Sequence, residues 1–292
     1  MEKFITTEDG LNLWTEAFGN AAGFPVLLIM GAMNQGIFWP DDFCDDLAHA
    51  GFYVIRYDHR DTGKSATVDF QLHPYDLDVL AQDAMAVLRG YGIAQAAIVG
   101  LSMGGYIAQL LAIKYPDIVN KLVLISSTAD QRPYMAATMG QDAGSFQLPR
   151  PERKVLDYIA DTAASPPQTA EQIEENLIQG WAITYGGNRP FPRDELTRAL
   201  RRAAQRAPAG AAPFHHAFAV AASPDRLEAV GHIRAPTLII HGRYDALLPL
   251  AHGEYLAQHI PGAQLRVFEM GHSFMWSWSN EVLDAVSKFL GD

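Results

Sequence analysis

Three side chains with complementary chemistry occur along the 292-residue chain in the order Ser102, Asp245 and His272. A serine hydroxyl becomes an effective nucleophile when a histidine accepts its proton and a carboxylate orients that histidine. Ser102 stands in the pentapeptide Gly-Leu-Ser-Met-Gly, between an apolar run and a helix-like segment. A strand, a sharp turn and a helix in this order would hold the serine in a strained, positive-φ conformation with its hydroxyl exposed. The pentapeptide alone is equally consistent with a glycine-rich turn, so the assignment depends on the other two residues.

Asp245 and His272 each follow one of the last two predicted strands. Because the carboxyl ends of parallel strands meet at one edge of a sheet, we expect both side chains to lie near Ser102. The chain order serine, aspartate, histidine is that of one known layout of such a triad. Asp130 follows an earlier predicted strand and is the alternative source of the acid.

Acyl transfer also needs two preorganised donors for the negative charge that develops on the carbonyl oxygen. The Met103 N–H is one candidate because it lies at the start of a predicted helix. The other is the Ala32 N–H, in the loop after an apolar run that ends at Met30, where Gly31 permits a tight turn. The Asn34 side chain is either a further donor or part of that turn.

Three other histidines have structural interpretations. His241 ends a predicted strand and faces the sheet, which favours a hydrogen-bonded core histidine. His215 and His216 lie in a helix-like segment, where a solvated helix face is the expected position and substrate contact is the alternative.

A charged loop, residues 56–65, ends in Gly-Lys-Ser, a sequence that also occurs in phosphate-binding loops. The phosphate-binding pattern requires a glycine where Asp58 stands, and no helix pattern follows the loop. We therefore expect a structural role, in which buried ion pairing of Asp58 and Arg60 holds the loop near the site.

Met33, Trp181 and Phe274 are predicted to line an apolar substrate pocket. Large apolar side chains beside a few polar groups are typical of small-molecule sites. Packing in the hydrophobic core is the alternative for each of them.

Alternating strands and helices must position these residues. Two segments in which polar and apolar residues alternate are joined by an Asp-Gly turn, which predicts a hairpin. Continuous apolar runs predict strands that are buried on both faces. The predicted strands cover residues 3–7, 11–18, 25–30, 52–57, 96–99, 121–126, 237–241 and 264–269. The accompanying helices cover residues 40–50, 76–88, 106–115, 252–258 and 281–290. This order predicts an α/β fold with a mostly parallel, eight-stranded sheet and helices on both faces.

The alternation stops between residues 128 and 235, where no strand pattern occurs. About a hundred residues cannot form a bare loop in a compact protein. Helix-like segments, separated by prolines, cover residues 154–162, 170–184, 193–205 and 213–222. The predicted organisation is one α/β core, residues 1–127 and 236–292, with a helical cap inserted at residues 128–235.

The composition excludes several classes of function. Hydrophobic residues make up 49% of the chain, and the net charge is −11. This acidic balance argues against nucleic acids and anionic membranes as partners. Cys44 is the only cysteine, which excludes an intrachain disulfide and a cysteine-rich metal site. With no leader-like or membrane-spanning apolar run, we expect a cytoplasmic protein that binds a small molecule and uses no metal or cofactor. The sequence leaves its oligomeric state open.

The chain resembles α/β-hydrolases of the serine esterase and lipase type over nearly its whole length. Residues 57–65, 100–105, 245 and 271–272 each match a motif of that family, in order. Residues 57–104 are similar to the branch represented by aclacinomycin methylesterases, bacterial enzymes that remove a methyl ester from an anthracycline. Most relatives have His-Gly where this chain has Met30-Gly31, and the cap region is less similar.

The resemblance implies a role for each candidate residue. Ser102 would be the nucleophile, His272 the base and Asp245 the residue that orients the base, while Ala32 and Met103 would form the oxyanion hole. The implied activity is cofactor-independent hydrolysis of a small to medium apolar carboxylic ester, methyl esters included.

The same three residues would also serve other activities. A cofactor-free perhydrolase or haloperoxidase, a lactonase and a C–C bond hydrolase are alternatives within the fold. A small-molecule-binding pseudohydrolase is the non-enzyme alternative. Epoxide hydrolases and dehalogenases need an aspartate nucleophile, and Ser102 argues against both.

Overall fold

The computed structural model describes residues 1–141 and 145–292. Within these ranges the chain forms eight strands: β1 (Glu2–Thr6), β2 (Asn12–Phe18), β3 (Phe24–Ile29), β4 (Phe52–Tyr57), β5 (Ala96–Leu101), β6 (Val119–Ile125), β7 (Thr237–Gly242) and β8 (Gln264–Phe268). They form one sheet in the order β1-β2-β4-β3-β5-β6-β7-β8. The strand β2 pairs antiparallel with β1 and β4, and the remaining neighbours are parallel. The predicted α/β fold with a mostly parallel, eight-stranded sheet is confirmed.

The same described ranges contain ten α-helices. They are α1 (Asp41–His49), α2 (Leu77–Gly90), α3 (Met103–Lys114), α4 (Arg132–Thr138), α5 (Arg153–Ala164), α6 (Ala170–Tyr185), α7 (Arg193–Arg206), α8 (His215–Ala222), α9 (Ala251–His259) and α10 (Ser279–Gly291). None of the helices in the described part of the chain is both long and apolar enough to span a membrane.

The central strands are buried on both faces, as expected for parallel strands between two helical layers. Successive side chains of a strand point to opposite faces, so β3 contributes to two hydrophobic clusters. Val26 and Leu28 pack in the cluster covered by α1 and α10. Leu27 and Ile29 pack in the cluster covered by α2, α3 and α9. Two helical layers therefore hold the sheet and fix the edge at which the parallel strands end.

The strands and the helices of the core lie within three residues of their predicted ends. The predicted hairpin is present, with β1 paired to β2 from Glu2 opposite Glu16 to Thr6 opposite Asn12. Its turn uses Gly10 at φ +84°, in the left-handed region that glycine enters without steric cost.

The segment between β6 and β7 carries the five helices α4 to α8 in its described residues. Four of these match predicted segments, and α4 has no predicted counterpart because its seven residues give too short an apolar repeat. Helix α7 packs through its apolar stripe against the α1 and α10 side of the core: Leu196, Leu200 and Ala203. The division into a core unit and a cap at residues 127/128 and 235/236 stays a prediction.

Candidate active site

Ser102 lies between β5 and α3 in a left-handed backbone conformation, with φ +53°. Such a conformation costs a non-glycine residue on the order of 1–3 kcal/mol and persists only where the surroundings enforce it. The Ser102 N–H donates to the carbonyl oxygen of Ile125 at 2.9 Å. A side chain at Gly104 would come within 2.7 Å of the Met30 carbonyl oxygen, so α3 can approach the chain leaving β3 only with glycine there. The turn has the positive φ that the pentapeptide predicts.

Asp245 and His272 follow β7 and β8 and are joined by a hydrogen bond. The His272 Nδ1–H donates to Asp245 Oδ2 at 2.8 Å, and Asp245 Oδ1 accepts the N–H groups of Leu247 and Leu248, both at 2.9 Å. Burial alone raises the pKa of Asp245, but the charge and hydrogen bond of His272 outweigh it and hold that pKa below its usual value. In the neutral imidazole, this hydrogen bond places the proton on Nδ1 and leaves Nε2 of His272 free to accept one.

Ser102 and His272 line the same cavity, whose volume is about 270 Å³. Among the hydrogen bonds of the described residues, none joins the Ser102 hydroxyl to His272. Catalytic hydrogen bonds are often long before a substrate is bound, so this geometry does not exclude proton transfer. The structure brings Ser102, Asp245 and His272 to one edge of the sheet.

The loop after β3 passes directly beside Ser102. A Cβ at Gly31 would lie 3.4 Å from Ser102 Cβ, and Ala32 and Met103 line a small cavity with Ser102. In the described residues, the backbone N–H groups of Ala32 and Met103 donate to no protein acceptor. The side-chain amide of Asn34 donates to the Ala32 carbonyl oxygen at 3.0 Å, which gives it the turn role.

Two of the three predicted pocket residues, Met33 and Trp181, line the 270 Å³ cavity, whereas Phe274 does not. Phe274 is fully buried and packs against Trp39 and Phe43, with ring centroids 5.7 and 5.5 Å apart. The prediction for Phe274 is therefore wrong, because its ring completes an aromatic cluster in the core.

His215 and His216 do not lie on a solvated helix face, which corrects that expectation. His216 is fully buried; its Nδ1 accepts the Met33 N–H at 2.9 Å and its Nε2–H donates to the Arg60 carbonyl oxygen at 3.0 Å. His215 Nδ1 lies 3.1 Å from Asp61 Oδ2. The burial has a sequence signal, since four buried residues share one face at helical spacing: His216, Ala219, Val220 and Ser223.

Asp130 and His241 are held by other partners. Both carboxylate oxygens of Asp130 accept hydrogen bonds from the Arg132 guanidinium, at 2.7 and 2.8 Å. The Asp130 carboxylate is thus already paired. His241 is fully buried, and its Nε2–H donates to the Leu248 carbonyl oxygen at 2.8 Å, although Nε2 also lies 3.5 Å from Asp245 Oδ2. Burial lowers the pKa of His241, in agreement with a neutral core histidine.

Asp58 and Arg60 are buried and paired, each with a different segment of the chain. Asp58 lies 3.1 Å from the Arg206 guanidinium of α7, and Arg60 donates two hydrogen bonds to Asp83 of α2, both at 2.7 Å. These pairs tie the charged loop to α2 and to the segment between β6 and β7. They fit the predicted structural role.

Three buried histidines are expected to make the fold acid-labile. Burial lowers the pKa of His59 and His252 to about 4 and that of His216 to about 3, from an ordinary value of 6.5. Below pH 6.5 the unfolded chain therefore binds protons that the folded chain does not, so stability is full above that pH and is lost as the pH falls toward 4. The loss should be on the order of 1 kcal/mol per histidine at about pH 5.5. Urea unfolding at about pH 7 and pH 5.5 measures it, and an unchanged free energy of unfolding would contradict it.

A family model described as the α/β hydrolase fold matches residues 25–277. The chain therefore belongs to the α/β hydrolase family. Its curated relatives include the rhodomycin D methylesterases DnrP of Streptomyces peucetius and DauP of Streptomyces sp. strain C5. These are 37% and 38% identical over 274 residues, which cover 92% of this chain and 91% of each relative. The predicted methylesterase-like membership and the prediction of an enzyme that hydrolyses ester bonds are confirmed.

Two further matches are more distant. The 3-oxoadipate enol-lactonase 2 of Acinetobacter baylyi is 31% identical over 76% of this chain and 72% of its own length. The esterase RhEst1 from Rhodococcus sp. ECU1013 superposes with a TM-score of 0.79 at 21% identity, over 100% of this chain and 98% of that chain. At this level of identity the superposition shows the common fold.

Proposed function

We propose that this protein is a serine esterase that cleaves neutral carboxylic esters, methyl esters among them, through an acyl-enzyme. One observation carries the proposal: His272, oriented by a buried carboxylate, shares an apolar cavity with the hydroxyl of Ser102. The bare Nε2 of His272 is the acceptor that a serine hydroxyl needs. The methylesterase relatives support the choice of ester.

In the proposed reaction, Ser102 Oγ forms a bond to the ester carbonyl carbon while its proton passes to His272 Nε2. The tetrahedral intermediate then breaks its bond to the leaving oxygen, which takes the proton from Nε2 and departs as the alcohol. A water molecule next gives a proton to His272 and attacks the acyl-enzyme. The bond to Ser102 breaks, Oγ recovers the proton, and the carboxylic acid leaves.

The Ala32 and Met103 N–H groups would bind the oxygen of the tetrahedral intermediate. Both groups lie beside Ser102 and are without a protein acceptor in the described residues. Each such donor contributes on the order of 3 kcal/mol to lowering the barrier when it is held in place before the reaction.

The lining of the cavity supports a neutral substrate. Its described residues include no Lys, Arg, Asp or Glu side chain, and the wall is mostly apolar: Met33, Leu101, Val155, Ile159, Trp181, Ile183 and Leu247. A charged group on the acyl part would lose its hydration there without finding a partner. We therefore expect the enzyme to discriminate by charge as well as by size.

Dimethyl terephthalate and monomethyl terephthalate form a matched pair of substrates, because they differ chiefly by one methyl group and one charge. We expect kcat/KM for the neutral diester to exceed that for the monoanion by about tenfold or more, since burial of an unpaired carboxylate is unfavourable. Methanol release measures both reactions. An equal rate, or a preference for the monoanion, would contradict the proposed substrate class.

A second set of assays separates the alternative functions. A panel of p-nitrophenyl esters, lactones, a vinylogous 1,5-diketone and peroxide with bromide in acetate buffer tests esterase, lactonase, C–C bond hydrolase and perhydrolase activity together. We expect ester hydrolysis to dominate and a fluorophosphonate probe to label Ser102. If the probe does not label the folded protein, the protein is better interpreted as a small-molecule-binding pseudohydrolase than as an enzyme.

A further inference from the structure

Polar contacts from three directions hold the loop that carries the Ala32 N–H. His59 Nε2–H donates to the Met30 carbonyl oxygen at 2.9 Å, from the loop after β4. His216 Nδ1 accepts the Met33 N–H at 2.9 Å, from helix α8. The Asn34 amide donates to the Ala32 carbonyl oxygen at 3.0 Å, from the turn itself. The peptide group between Ala32 and Met33 is thus bonded at both its C=O and its N–H.

The bond to His216 requires one protonation state. Nδ1 accepts the hydrogen bond from the Met33 N–H only when Nδ1 carries no proton itself, and the Nε2–H then donates to the Arg60 carbonyl oxygen at 3.0 Å. His216 is fully buried, and its ring meets the His59 ring edge to face at 5.4 Å. Burial, the neighbouring His59 and His215, and the Arg60 guanidinium all oppose a positive charge on His216, and its pKa falls to about 3. The acceptor is therefore maintained throughout the neutral range.

The loop also needs external support because of its backbone conformation. Met33 has φ +65°, in the left-handed region, and its side chain is half exposed at the cavity. A non-glycine residue keeps such a φ only where contacts outweigh the strain. The peptide bonded to His216 and Asn34 is the one whose orientation sets that angle.

We propose that His216 is a positioning residue for the oxyanion hole: its Nδ1 fixes the Ala32–Met33 peptide and thereby holds the Ala32 N–H toward the substrate oxygen. This inference rests on the proposed function, because it assigns a purpose to the Ala32 N–H. It also makes helix α8, which belongs to the segment between β6 and β7, a supporting element of the catalytic loop. His216 itself lines neither of the two cavities that contain Ser102.

The substitutions His216→Asn and His216→Gln separate positioning from packing. An asparagine side-chain oxygen occupies the place of Nδ1 and can still accept the hydrogen bond of the Met33 N–H. A glutamine side-chain NH₂ occupies the place of Nε2 and can still donate to the Arg60 carbonyl oxygen. Each variant thus keeps one of the two hydrogen bonds of His216 and loses the other. A merely structural role predicts similar losses of melting temperature and of activity in both variants.

The positioning role predicts a different result in steady-state hydrolysis of p-nitrophenyl acetate. We expect kcat of His216→Gln to fall by about ten- to a hundredfold with KM nearly unchanged, because a displaced donor weakens only the transition state. His216→Asn should keep kcat within about threefold of the wild type, although both variants should melt at similar temperatures. Equal kcat values for the two variants would overturn the inference.

Two further measurements keep the result decisive. If neither His216 variant folds, Asn34→Ala removes the other hydrogen bond to the same peptide, and a several-fold fall in kcat at constant KM is expected. A wild-type kcat in that variant would overturn the inference. Ser102→Ala, measured alongside, distinguishes the failures: activity retained in that variant refutes the proposed function, whereas an inactive Ser102→Ala with equal His216 variants refutes only the positioning role.

Discussion

Replacement of Ser102 by alanine is expected to lower kcat for p-nitrophenyl acetate by a factor on the order of 10⁶. The substitution should change the catalytic rate with little effect on the stability of the fold. Among the described residues the Ser102 hydroxyl makes no hydrogen bond, so its removal leaves no unpaired partner. Alanine and serine also bear the same Cβ, and the strain of the left-handed backbone, with φ +53°, is therefore unchanged. The melting temperature should stay close to that of the wild type.

The matched control is Ser273→Ala, which removes a hydroxyl from the residue next to His272. Ser273 lines the same 270 Å³ cavity as Ser102, but its hydroxyl donates to the Met275 sulfur at 3.0 Å, and no step of the proposed reaction uses it. We expect Ser273→Ala to retain most of the wild-type kcat. If Ser102→Ala hydrolyses the ester at a rate comparable to that of Ser273→Ala, the proposed nucleophile is wrong.

Replacement of Asp245 by asparagine is expected to lower kcat by about 10⁴-fold while the protein stays folded. Two backbone N–H groups, those of Leu247 and Leu248, point at Oδ1 and require an acceptor there. The asparagine must therefore present its oxygen to them and its NH₂ group to His272. That NH₂ group would demand a bare Nδ1, so the His272 proton would move to Nε2. An imidazole protonated at Nε2 cannot accept the proton of Ser102.

Asp130→Asn is the matched control for this prediction, since Asp130 also follows a strand of the sheet and is the alternative source of the acid. Its oxygens bond to Arg132, and we expect its substitution to change kcat by less than about tenfold. Comparison of the two variants at several pH values measures the difference. A larger loss of kcat in Asp130→Asn than in Asp245→Asn would show that Asp130, and not Asp245, is the acid.

Much of the fold was predictable because its signals are local. Continuous apolar runs indicate strands buried on both faces, and the hairpin follows from the turn at Gly10. The proximity of Asp245 to His272 follows from one rule, that parallel strands end at the same edge. For the segment between β6 and β7, the presence of helices was predictable but their packing was not, because helical periodicity does not say what a helix packs against.

The errors occurred where tertiary contacts decide. Phe274 follows closely after His272, and nothing local indicates that its ring fills a space beside Trp39 and Phe43. His216 was predictable in part, since its spacing to Ala219 and Val220 marks one helix face. The partners of its two ring nitrogens, the Met33 N–H and the Arg60 carbonyl oxygen, lie in the loops after β3 and β4. These loops are more than 150 residues away in the chain.

The hydrogen bond between Met33 and His216 bears on protein engineering. The segment between β6 and β7 joins two strands that are neighbours in the sheet, and loop-closure entropy grows only slowly with length. Exchange of that segment between homologues is therefore an obvious route to chimaeras with new substrate ranges. Because α8 contributes the acceptor for the Met33 N–H, a transplanted segment without such an acceptor should yield a chimaera that folds and binds but turns over slowly.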